Sequence, residues 1–347
     1  MSIDMFETRA LTNAIDKVKV VDPFILNMLW KGKDKYHASD NVDIEITTNA
    51  DKIAQFVMVD GVPKMIKKGT KDVKTVKIPM TWEKKTFTAS ELAVYKQVGS
   101  IYGNAADIES RANQFVLREI ADLKNRVTRR REQMACEALS TGLLTVTQDD
   151  FAFTIDFGYT SGTHLVTNGS GAMWNAATPS PSILSQIRTA KSNIMKRSGF
   201  SPTIGILGTD AASSFLNSTA VQTALDTLNY RVGSIDLNSP ANIYGNYLGR
   251  LFGIDWYEYN QVYTSQTGVA TDMIAADLAI ILTPQLATEM HHGPLFRIEG
   301  QNLKVHQVDI LVETMTNIDK TYLEWKVNQK SLPSINDPDG LVVINVQ

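Results

Sequence analysis

Five histidines, one cysteine and a few clustered carboxylates are the residues of this chain whose types could do chemistry, and their spacing argues against it. His291-His292 suggests a pair of metal ligands. Adjacent residues on a strand point to opposite sides, however, and no third ligand stands at metal-site spacing, so a surface or interface role is expected for both. His37, His164 and His306 complete the set. Cys136 falls at helical spacing beside Met134 and Ala138, which reads as a small packing residue rather than a nucleophile. Asp210, Ser213 and Ser214 sit together because a helix begins there and uses caps. Asp149-Asp150 reads as a turn rather than a paired-carboxylate site. Gly-x-Ser-x-Gly, Walker, Gly-x-Gly-x-x-Gly and Cys-x-x-Cys motifs do not occur in the sequence. The expectation is no enzyme activity, no catalytic residue, no cofactor and no metal.

Composition narrows the classes further. A chain of 347 residues with 43% hydrophobic and 20% charged residues can bury a substantial core. Its net charge of −3 and pI near 6 give no global attraction to nucleic acid or membranes. A single cysteine excludes an internal disulfide and fits a reducing compartment. No run approaches the roughly 18 apolar residues of a membrane span, and the N-terminus, with Asp4 and Glu7, lacks the apolar core of a signal peptide.

The element that would organise such a chain is the stretch from Asn104 to Thr141, free of Gly and Pro between Gly103 and Gly142. It predicts one helix, roughly 57 Å long at about 1.5 Å per residue. Ile108, Ala112, Phe115, Val116, Ile120, Leu123, Val127, Met134 and Ala138 recur at three- and four-residue steps and form an apolar stripe. Arg118, Asp122, Arg129 and Glu132 lie opposite, on a face expected to be wet, with Arg118/Asp122 and Asp122/Arg126 spaced for pairing along the helix. Arg130 falls inside the stripe, so Arg129, Arg130 and Arg131 are expected to meet something polar, in another chain among the options.

Before this helix, Asp22-Pro23-Phe24-Ile25-Leu26-Asn27-Met28-Leu29-Trp30 is apolar with little to cover it. It reads equally as an arm lying on a neighbour, through Phe24, Leu26 and Trp30, or as a first core element. Val42–Thr48, Ile53–Val59, Val73–Ile78 and Thr86–Thr88 predict strands, with Asp60-Gly61 as a hairpin turn. Between Val62 and Lys85 eight lysines, at 64, 67, 68, 71, 74, 77, 84 and 85, stand against Asp72 and Glu83. Such a run is either a solvated face or an extended basic hairpin lying on an adjacent subunit, in which case Lys64, Lys67, Lys68, Lys71, Lys74 and Lys77 are the contacts.

After the helix come a hairpin over Leu143–Val146 and Phe151–Phe157, a polar loop over Tyr159–Thr178, and a helix over Ser180–Ser198 with Ile183, Ile187, Ala190, Ile194 and Met195 as its buried face. Residues from Phe200 to Pro284 alternate strand and helix, and Leu295 to Gln347 return to strand. The fold class expected is α+β.

That order, with three local stretches, resembles the major capsid protein of tailed bacteriophages, of the Hong Kong 97 type, and in particular its lambda-like capsid protein E family. Asp22-Pro23-Phe24-Ile25-Leu26 is similar to the family's N-arm. Glu137 to Gly158, through Ser140-Thr141-Gly142 and Ile155-Asp156-Phe157-Gly158, resembles its helix-to-hairpin junction. Ser331-Leu332-Pro333 and Asp337-Pro338-Asp339-Gly340-Leu341-Val342-Val343 resemble its closing strand.

The resemblance implies an N-terminal arm over 1–41, an extended β loop over 42–95, a peripheral domain over 96–200 that holds the spine helix 104–141, an axial domain over 201–300, and return strands of the peripheral domain over 301–347. It implies an icosahedral shell built from many copies, first as a procapsid that then expands, enclosing double-stranded DNA without sequence-specific binding. The expected partners are further copies of the chain, a separate scaffold protein and a portal, with a decoration protein left open and no membrane. The expected location is the virion, and the host cytoplasm during assembly. An encapsulin-like compartment enclosing cargo protein is the alternative on the same fold, and an α/β enzyme with no visible local motif is the alternative of another class.

Overall fold

The Gly- and Pro-free run forms one helix in a computed structural model of the protein, which describes residues 23–47, 71–88, 105–148, 151–176, 179–226, 233–234, 245–265, 268–299, 302–316 and 322–347. Among the described residues the first element is a short helix α1 (Leu26–Trp30), followed by β1 (Asp34–Tyr36), β2 (Asn41–Thr47), β3 (Lys71–Lys77) and β4 (Met80–Thr88). The long helix α2 (Ala105–Thr141) leads into the hairpin β5 (Leu143–Gln148) and β6 (Phe151–Asp156), then β7 (Leu165–Thr167) and α3 (Ile183–Ser198). Next come β8 (Ile204–Leu207), α4 (Thr209–Asn217), α5 (Thr219–Asp226), β9 (Gly233–Ser234), β10 (Asn246–Leu251), β11 (Ile254–Glu258), β12 (Val262–Thr264), β13 (Ala270–Asp272) and β14 (Leu278–Leu282). The chain closes with β15 (Thr288–His292), β16 (Leu295–Glu299), β17 (Asn302–His306), β18 (Leu311–Thr316), β19 (Tyr322–Ile335) and β20 (Leu341–Asn345).

Helix α2 stops at Gly142, whose φ of +69° is a left-handed conformation that costs glycine little. A side chain there would also collide with the ring of Tyr159. The stripe residues Ile120, Leu123, Val127, Met134 and Ala138 are buried, as the periodicity predicts. Asn104, the strand expected over 53–59, the turn Asp60-Gly61 and the side chains of Ile108, Ala112, Phe115 and Val116 lie outside the described residues.

Two larger sheets organise the fold, beside the two-stranded pairs β2–β3, β5–β6, β12–β13 and β16–β17. The first runs β7-β20-β14-β8-β11-β10-β9, and its two faces follow from the two-residue alternation of strands. Ile206, Ile280, Leu282, Leu341 and Val343 face a core shared with α1, the end of α2 and the β5–β6 hairpin. Leu207, Ala279, Ile281, Val342 and Ile344 face α3, α4 and α5. The second sheet is a platform, β1-β15-β19-β18, with β4 also paired to the fourteen-residue β19. Its inner face sets Val312, Trp325 and Val327 on Ile120, Leu123 and Val127 of α2, a separate core.

Several expectations are corrected. Strand β4, within the stretch 42–95 expected as an extended β loop, pairs with the platform, Met80–Thr88 against β19 from Lys330 to Tyr322. The polar stretch Tyr159–Thr178 contains a strand, β7, held parallel to β20. The α/β layer reaches beyond 201–300, because β7 and β20 close its edge and α3 covers it, whereas β15, at 288–292, lies in the platform. Met195 is exposed rather than buried, since Ile183, Gln186, Ile187, Ala190, Ile194 and Ser198 form the inner face of α3.

Candidate assembly interface

The residues that the sequence offered as contacts between copies divide into three groups. Leu26 and Trp30 are buried in the chain's own core, with the Trp30 indole N–H donating to the Glu289 carbonyl at 3.1 Å. Phe24 is half-buried and stacks on Tyr259, ring centroids 5.7 Å apart. Of the two readings of this segment, the first core element is the one the structure bears out from Pro23 onward.

The arm is held by a residue that the sequence placed on the wet face of the spine. Glu132 is only 2% exposed. Its carboxylate accepts the backbone N–H groups of Ile25, at 2.8 Å, and Leu26, at 3.0 Å, and the hydroxyl of Tyr259, also at 3.0 Å. It thus caps the start of α1 and ties three separate segments together. Burial pushes its pKa up, against the opposing pull of these three donors. No local signal marks Glu132, because its partners are more than a hundred residues away.

The other charges of the spine also reach outside the helix. Lys85 of β4 bonds Glu119 and Asp122, each at 2.6 Å, and Arg126 bonds Glu83 at 2.8 Å. Strand β4 lies along this side of α2, so Asp122 and Arg126 bond to it instead of along the helix. Arg131 bonds Asp309 at 2.9 Å within the chain, while Arg129 and Arg130 are exposed. Arg130 escapes burial although it lies in the stripe, because the platform core ends at Val127 and the main core resumes near Met134.

Lys64, Lys67 and Lys68 lie outside the described residues. Lys71 opens β3, which pairs antiparallel with β2 from Thr47↔Lys71 to Asn41↔Lys77. Lys74 donates to the Asp156 carbonyl at 2.7 Å, and Lys77 is exposed. Lys84 approaches Glu324 at 3.5 Å across β4 and β19. Among the described residues the basic run is therefore split between a strand pair and the platform.

Of the surface or interface role expected of His291 and His292, the surface half is excluded, for both are buried within the chain. Strand β1 lies parallel against β15, Asp34↔Met290 to Tyr36↔His292, and the histidines secure it. His291 Nδ1 is 3.0 Å from His37 Nε2, and its Nε2 is 3.0 Å from the Ser334 hydroxyl. His292 Nε2 is 2.9 Å from Asp34. Burial, reinforced by the proximity of His37, lowers the His291 pKa to about 4. His164 plays a similar part near the C-terminus. Its Nδ1 accepts the Thr160 N–H at 2.9 Å, so Nε2 carries the proton toward Asp339 at 3.2 Å.

These contacts hold segments of the chain together. Cys136 is fully buried, and its pKa is raised well above the ordinary thiol value by that burial and by Glu132 nearby, which suppresses the nucleophilic thiolate.

The outward face of the platform is different. Trp82, Tyr322 and Met315 share it through the registers Trp82↔Asn328 and Met315↔Glu324; Trp82 and Met315 are 59% and 58% exposed. Phe296 and Val305, paired across β16–β17, are exposed as well. Between Trp82 and Met315 the platform face carries Lys84, Glu324 and Lys326, so it mixes large apolar side chains with paired charges, as surfaces between proteins do.

Comparison with solved structures agrees on the fold. A chain from E. coli CFT073 described as the capsid protein of a prophage aligns with a TM-score of 0.71 at 12% identity, covering 98% of this chain and 99% of that one. A phage-related protein of Bordetella bronchiseptica RB50 aligns at 0.53 and 14% identity, over 97% and 96%. The holo-encapsulin complex of Synechococcus elongatus PCC 7942 aligns at 0.49 and 10% identity, over 94% and 88%. No curated protein sequence matches the chain. The model of the phage major capsid protein E family matches residues 7–346. The chain belongs to that family, and it is a structural subunit of a phage head shell, a homo-oligomer of the virion.

Proposed function

We propose that copies of this chain assemble in the host cytoplasm into an icosahedral procapsid around a separate scaffold protein and a portal, and that the shell then expands around double-stranded DNA. The role is structural, without catalysis. The observation that supports it best is the division of the platform: one face buries Trp325 over the spine, and the other leaves Trp82, Met315 and Tyr322 open. A neighbour covering that face gains apolar burial without disturbing the chain's own core.

In this reading the α/β layer is the axial domain, extended by β7 and β20 beyond 201–300, and the platform with α2 is the peripheral domain. Lys64, Lys67, Lys68, Lys71, Lys77, Arg129 and Arg130 serve as contacts between copies. Leu26, Trp30 and Arg131 act within the chain.

Negative-stain microscopy of the full chain, expressed with and without its scaffold, tests this. Closed particles are expected, with nuclease-protected double-stranded DNA in native ones. A monodisperse monomer under every assembly condition would overturn the shell, and protein cargo in place of DNA would favour a compartment. Lys67→Glu with Lys68→Glu is expected to leave the monomer folded and to lower particle yield at least several-fold; an unchanged yield would make the basic loop a solvated face.

A further inference from the structure

The outer face of α3 carries Arg188, Lys191, Ser192, Met195 and Lys196 at steps of three, one, three and one. This spacing puts them on one stripe, opposite the stripe that the core uses. Together with Phe252 they line an open pocket of about 510 Å³. Its floor is apolar, with Met195 47% exposed, and its rim is cationic.

Phe252 is in a strained position. It and Gly253 form the two-residue turn between β10 and β11, flanked by the pair Leu251↔Ile254, and both have positive φ, +55° and +77°. Glycine or asparagine adopts that conformation readily, whereas a phenylalanine there is strained. The strained residue is the one whose ring lines the pocket, with the Arg188 guanidinium 5.0 Å from the ring centroid and the Lys191 amine donating to the Phe252 carbonyl at 2.6 Å. The ring is half-buried, one side packed against the core under α3 and the other lining the pocket, so the strain is retained where the side chain joins the two.

At the other end of β11, about 17 Å of strand away, the hairpin β12–β13 presents the complementary surface. Val262 is 53% exposed; Asp272 stands directly across from it, and Ala270, across from Thr264, shares that face, both of them exposed. Asp210 adds a second exposed carboxylate at the end of the layer where β8 runs into α4. One end of the α/β layer thus offers an apolar socket rimmed by three cations, and the other an apolar knob flanked by carboxylates.

We propose that the β12–β13 hairpin of one copy seats in the α3–Phe252 socket of the next, Val262 and Ala270 on Met195 and Phe252, and Asp272 toward Lys196 and Arg188. The contact is head to tail, and repeated heterologous contacts close into rings when the rotation allows. It rests on the shell reading above and specifies one contact within it. The opposite charges select this pairing over socket-to-socket approach, which would oppose three cations to three.

The test is a cysteine pair in the full-length chain, Met195→Cys with Val262→Cys, assembled into particles and oxidised with diamide. A ladder of covalent multimers on a non-reducing gel is expected, and either single variant should stop at dimers or below. Particles of normal yield that give no ladder would overturn the contact and leave the shell reading standing. Failure of the unaltered chain to form any particle would overturn the shell reading and the contact with it. As a second arm, Lys196→Glu and Asp272→Lys should each reduce particle yield at least tenfold with unchanged melting of the monomer, and the double variant should recover most of it. Yields unaffected by either single reversal would also overturn the pairing.

Discussion

Between Ile120 and Val127 the spine helix lies under the platform, whereas from Glu132 to Leu139 it lies under the α/β layer and the arm, and the two stretches use their charged residues differently. Under the platform the carboxylates of Glu119 and Asp122 meet Lys85 at the edge of the contact, within reach of water. Under the α/β layer, Glu132 is enclosed and serves backbone donors. In the first stretch apolar packing carries the stability and the ion pairs trim it. In the second, a buried polar group has become indispensable to the packing around it, because its donors have no water to turn to.

The largest effect on this contrast is expected from Ile120→Asp. It puts a carboxylate among Leu123, Val312 and Trp325 with no cation built to meet it, at a cost of about 3–5 kcal/mol. Chemical denaturation should show that loss; an unchanged midpoint would mean that the platform does not rest on this face of the helix. Next is Glu132→Ala, which leaves the N–H groups of Ile25 and Leu26 and the Tyr259 hydroxyl without their acceptor. A loss of about 2–4 kcal/mol is expected, with faster hydrogen exchange at Ile25 and Leu26. Glu132→Gln keeps one acceptor oxygen and should lose less than half as much. If alanine and glutamine behave alike, the carboxylate is not the latch of the arm.

The same contrast explains what was legible in the sequence. The stripe Ile120, Leu123, Val127, Met134, Ala138 repeats with the helical period, so the burial of this face follows from local pattern alone, and Gly142 ends it for a local reason. Glu132 and Glu119 are the same residue type on the same helix. Only the return of residues 24–30 and of Tyr259 to Glu132 separates them, and that depends on tertiary contacts which periodicity does not encode. His291-His292 failed in the same way: a polar pair looked superficial until β1 was found to cover it. In the socket, the cations of α3 were readable as a helix face, but Phe252 enters through a turn whose φ no propensity would assign to phenylalanine.

The histidines under β1 supply a pH test of intermediate size. His291 titrates at about 4 when folded, because burial and His37 disfavour its charge, and His37 is lowered as well, by burial and then by Lys35. Both unfold to about 6.5. Above that value neither state binds the proton and stability is flat. As pH falls from about 6.5 toward 4 the unfolded chain takes up protons at these two histidines that the folded chain refuses, so they contribute a fall in stability, opposed by the carboxyls of Glu132 and Asp337, whose pKa values burial raises. Glu289, which faces His291 at 3.7 Å, moderates the drop without reversing it. The melting temperature should decline over this window, and His291→Asn should flatten the decline; an equal slope in that variant would assign the sensitivity to other groups.

The smallest effect belongs to Lys85. Burial alone would lower its pKa, yet hydrogen bonds to Asp122 and Glu119 prevail and raise it, so the amine is charged and doubly paired. Its side chain is nevertheless about a quarter exposed, and Asp122 is more than half exposed, so water and salt screen the pairs on the outer side. Lys85→Met retains the aliphatic stem across β4 while deleting the charge, and about 0.5–1 kcal/mol should be lost at low salt, shrinking toward zero at molar salt. Glu132→Ala, by contrast, should cost the same at every salt concentration, since its donors are neutral and enclosed. A salt-independent loss at Lys85 as large as that at Glu132 would erase the distinction between the two stretches of the spine. It would place the contact between β4 and α2 among the enclosed polar junctions of the molecule.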